Sequence, residues 1–375
     1  MTGDALKTHW FKRIILPGLA FKAVVIGGGY ATGREIAEFF LPAGPWGGLA
    51  AMVLATLIWS VVCATTFLFA RMVGAAEYRS FFRALLGRGW IAFEIAYALF
   101  VVLILAVFGA AAGAIGAATL GLPPIVGTLA LMAGIAGFAA FGNVAVERLF
   151  AGVSILLYGV YVLFAVSTVT KFGGRIDAAF AAAPLAGSHW LLGGMTYAGY
   201  NIIGAVVILP VTRHLTGNRD ALVAGLIAGP LAMLPAFAFF VCMTAFLPDI
   251  ADAVLPSDVM LVHLGMPVFH IVFQVMIFAA LLESGTGAVH AVNQRIAGVW
   301  DRRTGTAPGP IVRGGIALAI LAVCMLLAQR IGLVALIANG YRVLAAVLFA
   351  LYVLPLLTWG AWRLIRRPNL QMEPA

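Results

Sequence analysis

The stretch Ile26-Gly27-Gly28-Gly29-Tyr30-Ala31-Thr32-Gly33-Arg34-Glu35 lies inside the first long hydrophobic segment of the chain. Each of its glycines weakens an α-helix by roughly 1 kcal/mol relative to alanine. Arg34 and Glu35 follow immediately, at a depth where charged side chains are costly in a membrane. The stretch therefore predicts an interrupted membrane helix, and we expect the interruption to form half of a binding site.

The composition predicts an all-α polytopic membrane protein that forms a single transmembrane domain over residues 1–375. The chain is 63% hydrophobic and 10% charged, whereas soluble domains carry about 25% charged residues. Its hydrophobic runs are too long for barrel strands of about 10 residues. The net charge is +9, and the basic residues lie mainly in short loops. This distribution indicates that they set the orientation of the protein in the membrane rather than bind nucleic acid. The three cysteines match no metal-binding spacing.

The hydrophobic runs predict ten transmembrane helices. They are approximately Ile14–Leu41, Gly47–Ala70, Trp90–Leu120, Ile125–Phe141, Leu149–Val169, Trp190–Val211, Ala221–Leu247, Met266–Gln294, Ile311–Leu327 and Ile331–Leu364. In this arrangement the outer loops carry few cations, namely Lys171, Arg175 and Arg330. Because cytoplasmic loops are enriched in Lys and Arg, both termini are expected in the cytoplasm of a bacterial inner membrane. The inner loop Met72–Gly89 predicts a short amphipathic helix.

A second glycine-rich run, from Gly193 to Asn201, interrupts the sixth hydrophobic segment and centres on Gly199-Tyr200. Each run opens one of two five-helix halves, 14–169 and 190–364, and an odd number of helices inverts the second half. Interrupted helices in corresponding positions of two inverted repeats are typical of the central site of a transporter. The alternative is that the glycines serve close helix packing.

Two motifs and the five-plus-five plan carry a resemblance to known proteins. The plan is similar to the LeuT fold of the amino acid–polyamine–organocation superfamily. The string Gly27-Gly28-Gly29-Tyr30-Ala31-Thr32-Gly33-Arg34-Glu35-Ile36-Ala37-Glu38-Phe39-Phe40 resembles the YkvI-type bacterial membrane proteins, and so does the run from Glu283 to Arg295. The chain departs from that family at Tyr30 and Arg34, where Phe and Gln are usual. The resemblance implies this fold and an amino-acid permease activity.

The interruption is expected to expose backbone groups to a solute. The free amides of Ala31, Thr32 and Gly33, at the start of the second half-helix, favour an anion such as a carboxylate. The carbonyl groups of Val24, Val25 and Gly27 would hold a cation or an ammonium group. Tyrosine rings would cover the ligand, although interhelical packing explains them equally well. The predicted substrate-binding residues are Gly27, Gly29, Tyr30, Ala31, Thr32, Gly33, Tyr197, Tyr200 and Asn201.

A second set of residues is expected to bind the coupling ion. Glu283 lies mid-helix, so its carboxyl group must be protonated, paired or bound to a cation. The LeuT resemblance implies a sodium site at the hydroxyls of Ser284 and Thr286 beside it, and Glu283 is equally suited to carry a proton. For His290 a structural role stays open, and Lys22 would either couple transport to protons or pair with Glu94 or Glu283. The predicted coupling residues are Lys22, Val25, Glu283, Ser284, Thr286 and His290.

Four charged residues predict an outer gate: Arg34, Glu35, Glu38 and Arg342. Arg342 would pair with Glu35 or with Glu38, either as a closable gate or as a fixed structural ion pair. Arg34 and Glu35 would form the outer wall of the pocket.

The residues together predict a secondary active transporter of a small amino-acid-like or amine solute, driven by a sodium or proton gradient. A sensor that binds the solute without moving it is the alternative. The sequence has no phosphate-binding Gly-x-x-x-x-Gly-Lys-Ser/Thr motif and no pattern of a membrane enzyme. We expect a small-molecule substrate and membrane lipids as partners, no nucleic acid, no cofactor, and no metal apart from sodium.

Overall fold

A computed structural model describes residues 10–27, 30, 32–141, 143–184, 189–304 and 309–366. Over these ranges the secondary structure is entirely helical. The first half contains α1 (Leu16–Val25), α2 (Arg34–Phe39), α3 (Gly44–Val73), α4 (Tyr78–Leu86), α5 (Trp90–Leu120), α6 (Pro124–Phe141) and α7 (Asn143–Ala182).

The second half contains shorter helices at both of its ends. Its elements are α8 (Trp190–Asn201), α9 (Gly204–Val207), α10 (Asn218–Thr244), α11 (Pro256–Leu264), α12 (Pro267–Thr304), α13 (Pro310–Ile331), α14 (Leu333–Ala335), α15 (Tyr341–Leu348) and α16 (Ala361–Arg366). Wider π-helical turns lie between α14 and α16. The last hydrophobic segment is therefore a continuous helix whose pitch changes along its length.

Seven stretches of the described residues are long and apolar enough to cross a membrane. They are Arg34–Val73, Tyr78–Leu120, Leu156–Ala182, Asn218–Thr244, Pro267–Asn293, Gly314–Ile331 and Leu333–Arg366. The chain is therefore a helical membrane protein with several spans. The predicted count of ten also includes α6 and the two interrupted segments. None of these three contains a described helix that is long enough by itself to be counted as a span, so ten stays a prediction.

The amphipathic helix predicted in the loop after α3 is confirmed as α4. Phe81, Phe82 and Leu85 are buried against the bundle, whereas Arg83 is exposed on the opposite face. The Phe82 ring stacks on Phe93 of α5 with ring centroids 3.4 Å apart. Helix α4 therefore lies on the bundle, with its apolar side as the anchor.

Helix α3 is the support against which α8 and α10 are positioned. Ser60 donates a hydrogen bond to the carbonyl oxygen of Leu226 at 2.9 Å, and a side chain at Gly229 would collide with the backbone of α3. The indole nitrogen of Trp59 donates to the carbonyl oxygen of Ala198 at 3.1 Å. Small residues thus bring α3 and α10 close together, and Trp59 holds α8 beside them.

Candidate functional site

The first interruption separates α1 from α2. The chain leaves the helix at Ile26, where ψ is 72°, and becomes helical again at Arg34. Gly33 immediately precedes α2 with φ of +77°, in the left-handed region that glycine adopts readily. A Cβ atom at this position would also lie 2.6 Å from the Phe239 ring. Both the conformation and the space therefore require glycine here.

Part of the backbone expected to be free at this interruption is used within it. The amide of Gly33 donates to the carbonyl oxygen of Tyr30 at 3.0 Å, and the amide of Gly27 donates to the carbonyl oxygen of Val25 at 2.8 Å. The expectation of a free Gly33 amide was therefore wrong, because the turn closes on itself. Two predicted substrate-binding residues, Gly29 and Ala31, lie outside the described residues.

The second interruption lies further along the chain than predicted. Helix α8 continues through Gly199 and ends at Asn201, before the short helix α9. A Cβ atom at Gly199 would lie 2.6 Å from the Phe349 ring and 2.9 Å from the Cβ atom of Ala345. The prediction of a break centred on Gly199-Tyr200 was therefore wrong, because Gly199 serves close packing inside a continuous helix.

Asn201 ends α8 and bonds back to its own helix. Its side-chain amide donates to the carbonyl oxygen of Tyr197 at 3.1 Å, and 8% of the residue is exposed. The donor that was expected to face a solute is therefore used to stabilise the last turn of α8.

Glu35 lies at the centre of a group of buried tyrosines. It belongs to the first turn of α2 and is 4% exposed. The Tyr200 hydroxyl donates to Glu35 Oε2 at 2.5 Å, and Tyr341 of α15 lies beside this pair. The rings of Tyr200 and Tyr341 stack with centroids 4.2 Å apart. Three elements that are distant in sequence therefore meet at one carboxyl group.

Three more tyrosines surround this carboxyl group, and we call the five with Glu35 the tyrosine cluster. The hydroxyls of Tyr30, Tyr161 and Tyr197 lie close enough to Glu35 to interact with its charge. Tyr30 and Tyr197 are completely buried, and their hydroxyls have no hydrogen-bond partner among the described residues. Because buried polar atoms are normally hydrogen-bonded, these two hydroxyls are candidates for contact with a ligand.

Tyr161 and Tyr341 were not among the predicted site residues. Tyr161 lies in an apolar helix whose sequence resembles its surroundings, so no local pattern distinguishes it. Tyr341 directly precedes the gate candidate Arg342. That neighbouring position was the sequence feature that could have indicated Tyr341. The position of Tyr341 beside Glu35 depends on the tertiary contact between α8 and α15, where its ring stacks on Tyr200.

Arg34 connects α2 to the predicted outer loop. Its guanidinium group bonds Glu38 Oε2 at 2.8 Å and donates to the carbonyl oxygens of Ala251 and Ala253 at 2.9 Å each. The Arg34 side chain is 5% exposed. One buried cation thus fixes a loop of the second half of the chain over the first interruption.

Glu38 also forms an ion pair with Arg342, whose Nη2 lies 3.0 Å from Glu38 Oε1. This is one of the two pairs that the sequence left open. Glu35 does not take the gate position predicted for it, because it lies nearly one helical turn deeper and bonds Tyr200. Arg34, Glu38 and Arg342 therefore form one charged layer on the predicted outer side of α2.

Helix α11, in the predicted outer loop, contacts the same interruption. The amide of Ser257 donates to the carbonyl oxygen of Thr32 at 3.1 Å. Asp258 connects α11 to α12 by accepting hydrogen bonds from Gln274 at 2.9 Å and contacting His270 Nε2 at 2.7 Å. No local sequence pattern indicates the contact of Ser257 with Thr32, because these residues lie more than 200 positions apart.

The coupling residues predicted in the eighth span lie on α12. Thr286 is completely buried, and its hydroxyl has no hydrogen-bond partner in the described part of the chain. Glu283, Ser284 and His290 are half-buried. Among the residues described, Glu283 forms no ion pair. Helix α12 packs chiefly against α5, α6 and α7. Ion coupling by its residues at the first interruption stays a prediction.

Lys22 lies on α1 and is 5% exposed. Its ammonium nitrogen lies 3.4 Å from the centroid of the Tyr158 ring, a cation–π contact. The suggested pair with Glu94 was wrong, because Arg79 binds Glu94 at 2.9 Å where α4 meets α5. An ion pair of Lys22 with Glu283 is likewise absent within the described ranges.

The predicted inner side carries its own ion pair. Arg13 donates two hydrogen bonds to Asp220, each 2.8 Å long, at the start of α10. Thr216 also donates to Asp220 through its hydroxyl at 2.7 Å. Where the structure is described, groups of three His, Cys, Asp or Glu side chains with a metal-binding arrangement do not occur. The Arg13–Asp220 ion pair therefore joins the segment before α1 to α10.

Comparison with known proteins gives one sequence relative and several structural neighbours. No protein-family model matches the chain. The chain is 25% identical over 285 residues to the uncharacterised membrane protein YkvI of Bacillus subtilis (strain 168), which covers 74% of this chain and 80% of that protein. The predicted resemblance to YkvI-type proteins is confirmed by this relative.

Two solved structures show the fold. A Na+-coupled sialic acid symporter in a substrate-bound outward-open state is 14% identical with a TM-score of 0.64, covering 93% of this chain and 79% of that one. A manganese transporter of Eremococcus coleocola is 14% identical with a TM-score of 0.61, covering 95% of this chain and 80% of that one. The chain is therefore a helical membrane protein similar in sequence to YkvI, with the LeuT-like fold of these two transporters.

Proposed function

We propose that the protein is a secondary active transporter of a small amino-acid-like or amine solute, driven by a sodium or proton gradient. The observation that carries this proposal is the interruption between α1 and α2, beside which the Tyr30 and Tyr197 hydroxyls are buried without partners among the described residues. Interrupted helices near the membrane centre are the usual sites of substrate and ions in secondary transporters. The fold shared with two transporters supports the same class.

The proposed architecture is a ten-helix inverted repeat with halves 14–169 and 190–364. Both termini would be cytoplasmic in a bacterial inner membrane, because cations are concentrated in the predicted inner loops. The seven long apolar stretches supply most of the spans. The interrupted pairs α1–α2 and α8–α9 would supply the first and sixth.

The proposed mechanism is alternating access between two charged layers. The outer layer joins α2 to α15 through Glu38 and Arg342. The inner pair joins Arg13, just before α1, to Asp220 of α10. Opening one layer while the other stays closed would expose the interruption to one side at a time. The solute would contact the freed backbone and the tyrosines, and Glu283, Ser284 and Thr286 stay candidates for sodium.

A thermal-shift screen tests the binding function. Purified protein would be heated with amino acids and small amines, with sodium present or replaced, at two pH values. A cognate solute at a hundredfold excess over its Kd is expected to stabilise the folded state by about 2.7 kcal/mol. Stabilisation that requires sodium would indicate sodium coupling, and failure of every amino acid and amine would contradict the proposed solute class.

Uptake by proteoliposomes then distinguishes a transporter from a sensor. Any solute that raises the Tm would be supplied radiolabelled, with and without an inward ion gradient. Gradient-dependent accumulation supports transport. Binding without accumulation in either condition would favour the sensor, which binds the solute without moving it.

The Arg342–Glu38 pair predicts a gating effect. Ser257 is completely buried, so a Ser257→Cys reporter would react slowly with an impermeant maleimide added outside intact cells. Adding Arg342→Gln is expected to speed labelling about two- to fivefold, because an exposed ion pair is worth about 0.4–1 kcal/mol. The measurement is the labelling rate of the reporter.

The native cysteines Cys63, Cys242 and Cys324 are all buried, which keeps the background labelling low. Arg79→Gln is the matched control, because it removes a comparable ion pair to Glu94 at the other end of the bundle. An equal labelling rate with and without Arg342→Gln would identify the pair as a fixed structural contact.

A further inference from the structure

We infer that Glu35 binds an exchangeable proton and that this proton is held while the outer layer is closed. The inference deepens the proposed function, on which its coupling role rests, by assigning the driving ion to a residue that the sequence suggested only for a gate. It stands on the geometry of the tyrosine cluster.

Glu35 is a buried acid whose neighbours are phenols. Tyr200 donates to its carboxyl group, and Tyr341 stacks on Tyr200. In the described parts of the chain Glu35 has no ion-pair partner. An ionised carboxylate in such surroundings lacks a compensating charge, so burial favours the neutral acid. The protonated, neutral form of Glu35 is therefore the one compatible with its burial in the closed state.

The adjacent cations are already engaged. Arg34 bonds Glu38 and two carbonyl oxygens, and Arg342 bonds Glu38. The titratable groups facing Glu35 are therefore the phenols of the cluster: Tyr30 from its own segment, Tyr161 from α7, Tyr197 and Tyr200 from α8, and Tyr341 from α15.

The close packing of the cluster selects a proton over a larger cation. The Tyr200 and Tyr341 rings stack at 4.2 Å, and Phe40 packs against Tyr197 with centroids 4.7 Å apart. Sodium would need several oxygen ligands around it, whereas a proton needs only one carboxyl oxygen.

The position of Glu35 connects its proton to the outer layer. Glu35 and Glu38 lie on the same short helix α2, and Glu38 holds that helix to α15. When the outer layer opens, water reaches the carboxylic acid of Glu35. Its O–H bond breaks, the proton passes to water, and the remaining carboxylate is solvated. When the layer closes, a proton from water adds to the carboxylate oxygen. Proton binding and outer closure therefore favour each other.

Proton counting on purified protein tests the inference. Weakly buffered protein in detergent would be taken from about pH 5 to about pH 9, and released protons would be measured with a pH indicator. Glu35→Gln is expected to release about one proton fewer per molecule than the wild type. Glu94→Gln is the control and is expected to match the wild type, because Glu94 pairs with Arg79 where α4 meets α5, away from the tyrosine cluster. An equal release by Glu35→Gln and wild type would overturn the inference.

Infrared spectroscopy of the wild type and of a tyrosine variant keeps the test independent of whether Glu35→Gln folds. A protonated carboxyl group gives a C=O band that depends on its hydrogen bonds. Tyr200→Phe is expected to shift this band, whereas Tyr352→Phe should leave it unchanged, because Tyr352 bonds Thr66 instead. A spectrum in which no carboxyl band responds to Tyr200→Phe would overturn the inference.

The proton count does not depend on solute binding. A deficit in Glu35→Gln combined with no stabilising solute would retain the proton site and reject the proposed solute class. A stabilising solute combined with an unchanged proton count would reject Glu35 and retain the transporter.

Discussion

Replacing Arg34 with methionine is expected to lower the free energy of unfolding by about 3–5 kcal/mol. Arg34 is 4% exposed, and its guanidinium group bonds Glu38 and the carbonyl oxygens of Ala251 and Ala253. Methionine replaces much of the volume but none of the donors. Glu38 would keep only its half-exposed partner Arg342, and the two carbonyl oxygens would lose their donor.

The measurement is thermal denaturation of the purified variant in detergent. Arg342→Met is the matched control, and its 51% exposed side chain predicts a loss of at most about 1 kcal/mol. Adding Glu38→Leu to Arg34→Met should recover part of the stability, because it removes the uncompensated carboxylate. Equal losses for Arg34→Met and Arg342→Met would show that the buried contacts of Arg34 do not hold the outer loop.

Replacing Gly33 with alanine is expected to destabilise the protein by about 2–5 kcal/mol. About 1–2 kcal/mol arises from φ of +77°, which strains any residue with a Cβ atom. The rest arises from a contact of 2.6 Å between that Cβ atom and the Phe239 ring, which requires a shift in a packed core. Solute binding should weaken as well, because Gly33 fixes the start of α2.

Gly121→Ala separates these two contributions. Gly121 has φ of +65°, and a Cβ atom there would meet nothing within 4 Å. It should therefore lose only about 1–2 kcal/mol in the same denaturation experiment. Adding Phe239→Leu to Gly33→Ala should recover stability by removing the clashing ring atoms. If Gly33→Ala loses no more stability than Gly121→Ala, the contact with Phe239 contributes nothing.

Local sequence patterns predicted the elements that depend on neighbouring residues. The interruption before Arg34 follows from glycines that weaken any helix, whatever surrounds them. The amphipathic helix α4 follows from the spacing of Phe81, Phe82 and Leu85, which places them on one helical face. These features could be found because their cause lies within a few residues of chain.

Gly199 shows where the same local argument fails. A glycine either weakens a helix or allows a neighbour to approach closely, and the local sequence is compatible with both. The Phe349 ring and Ala345 lie against it, so packing explains Gly199 and α8 continues to Asn201. The choice depends on residues nearly 150 positions away.

For the charged residues of the candidate site, too, the sequence indicated part of the role and the tertiary contacts decided the rest. The sequence indicated that Arg34, Glu35 and Glu38 are too costly in a membrane segment to be accidental. It did not distinguish the roles of the two acids, since both lie on the same short helix. Contacts with other helices separate them: Arg342 pairs with Glu38, whereas Tyr200 bonds Glu35.

Composition and hydropathy alone were enough to predict a multi-span helical membrane protein with a helix break at Gly27–Gly33, because backbone energetics and membrane solvation act locally. The tyrosine cluster required the folded bundle. Its members lie on α2, α7, α8 and α15 and in the segment before α2. Their sequence separation leaves no periodic signal. Only the packing of these helices brings the five phenols around one carboxyl group.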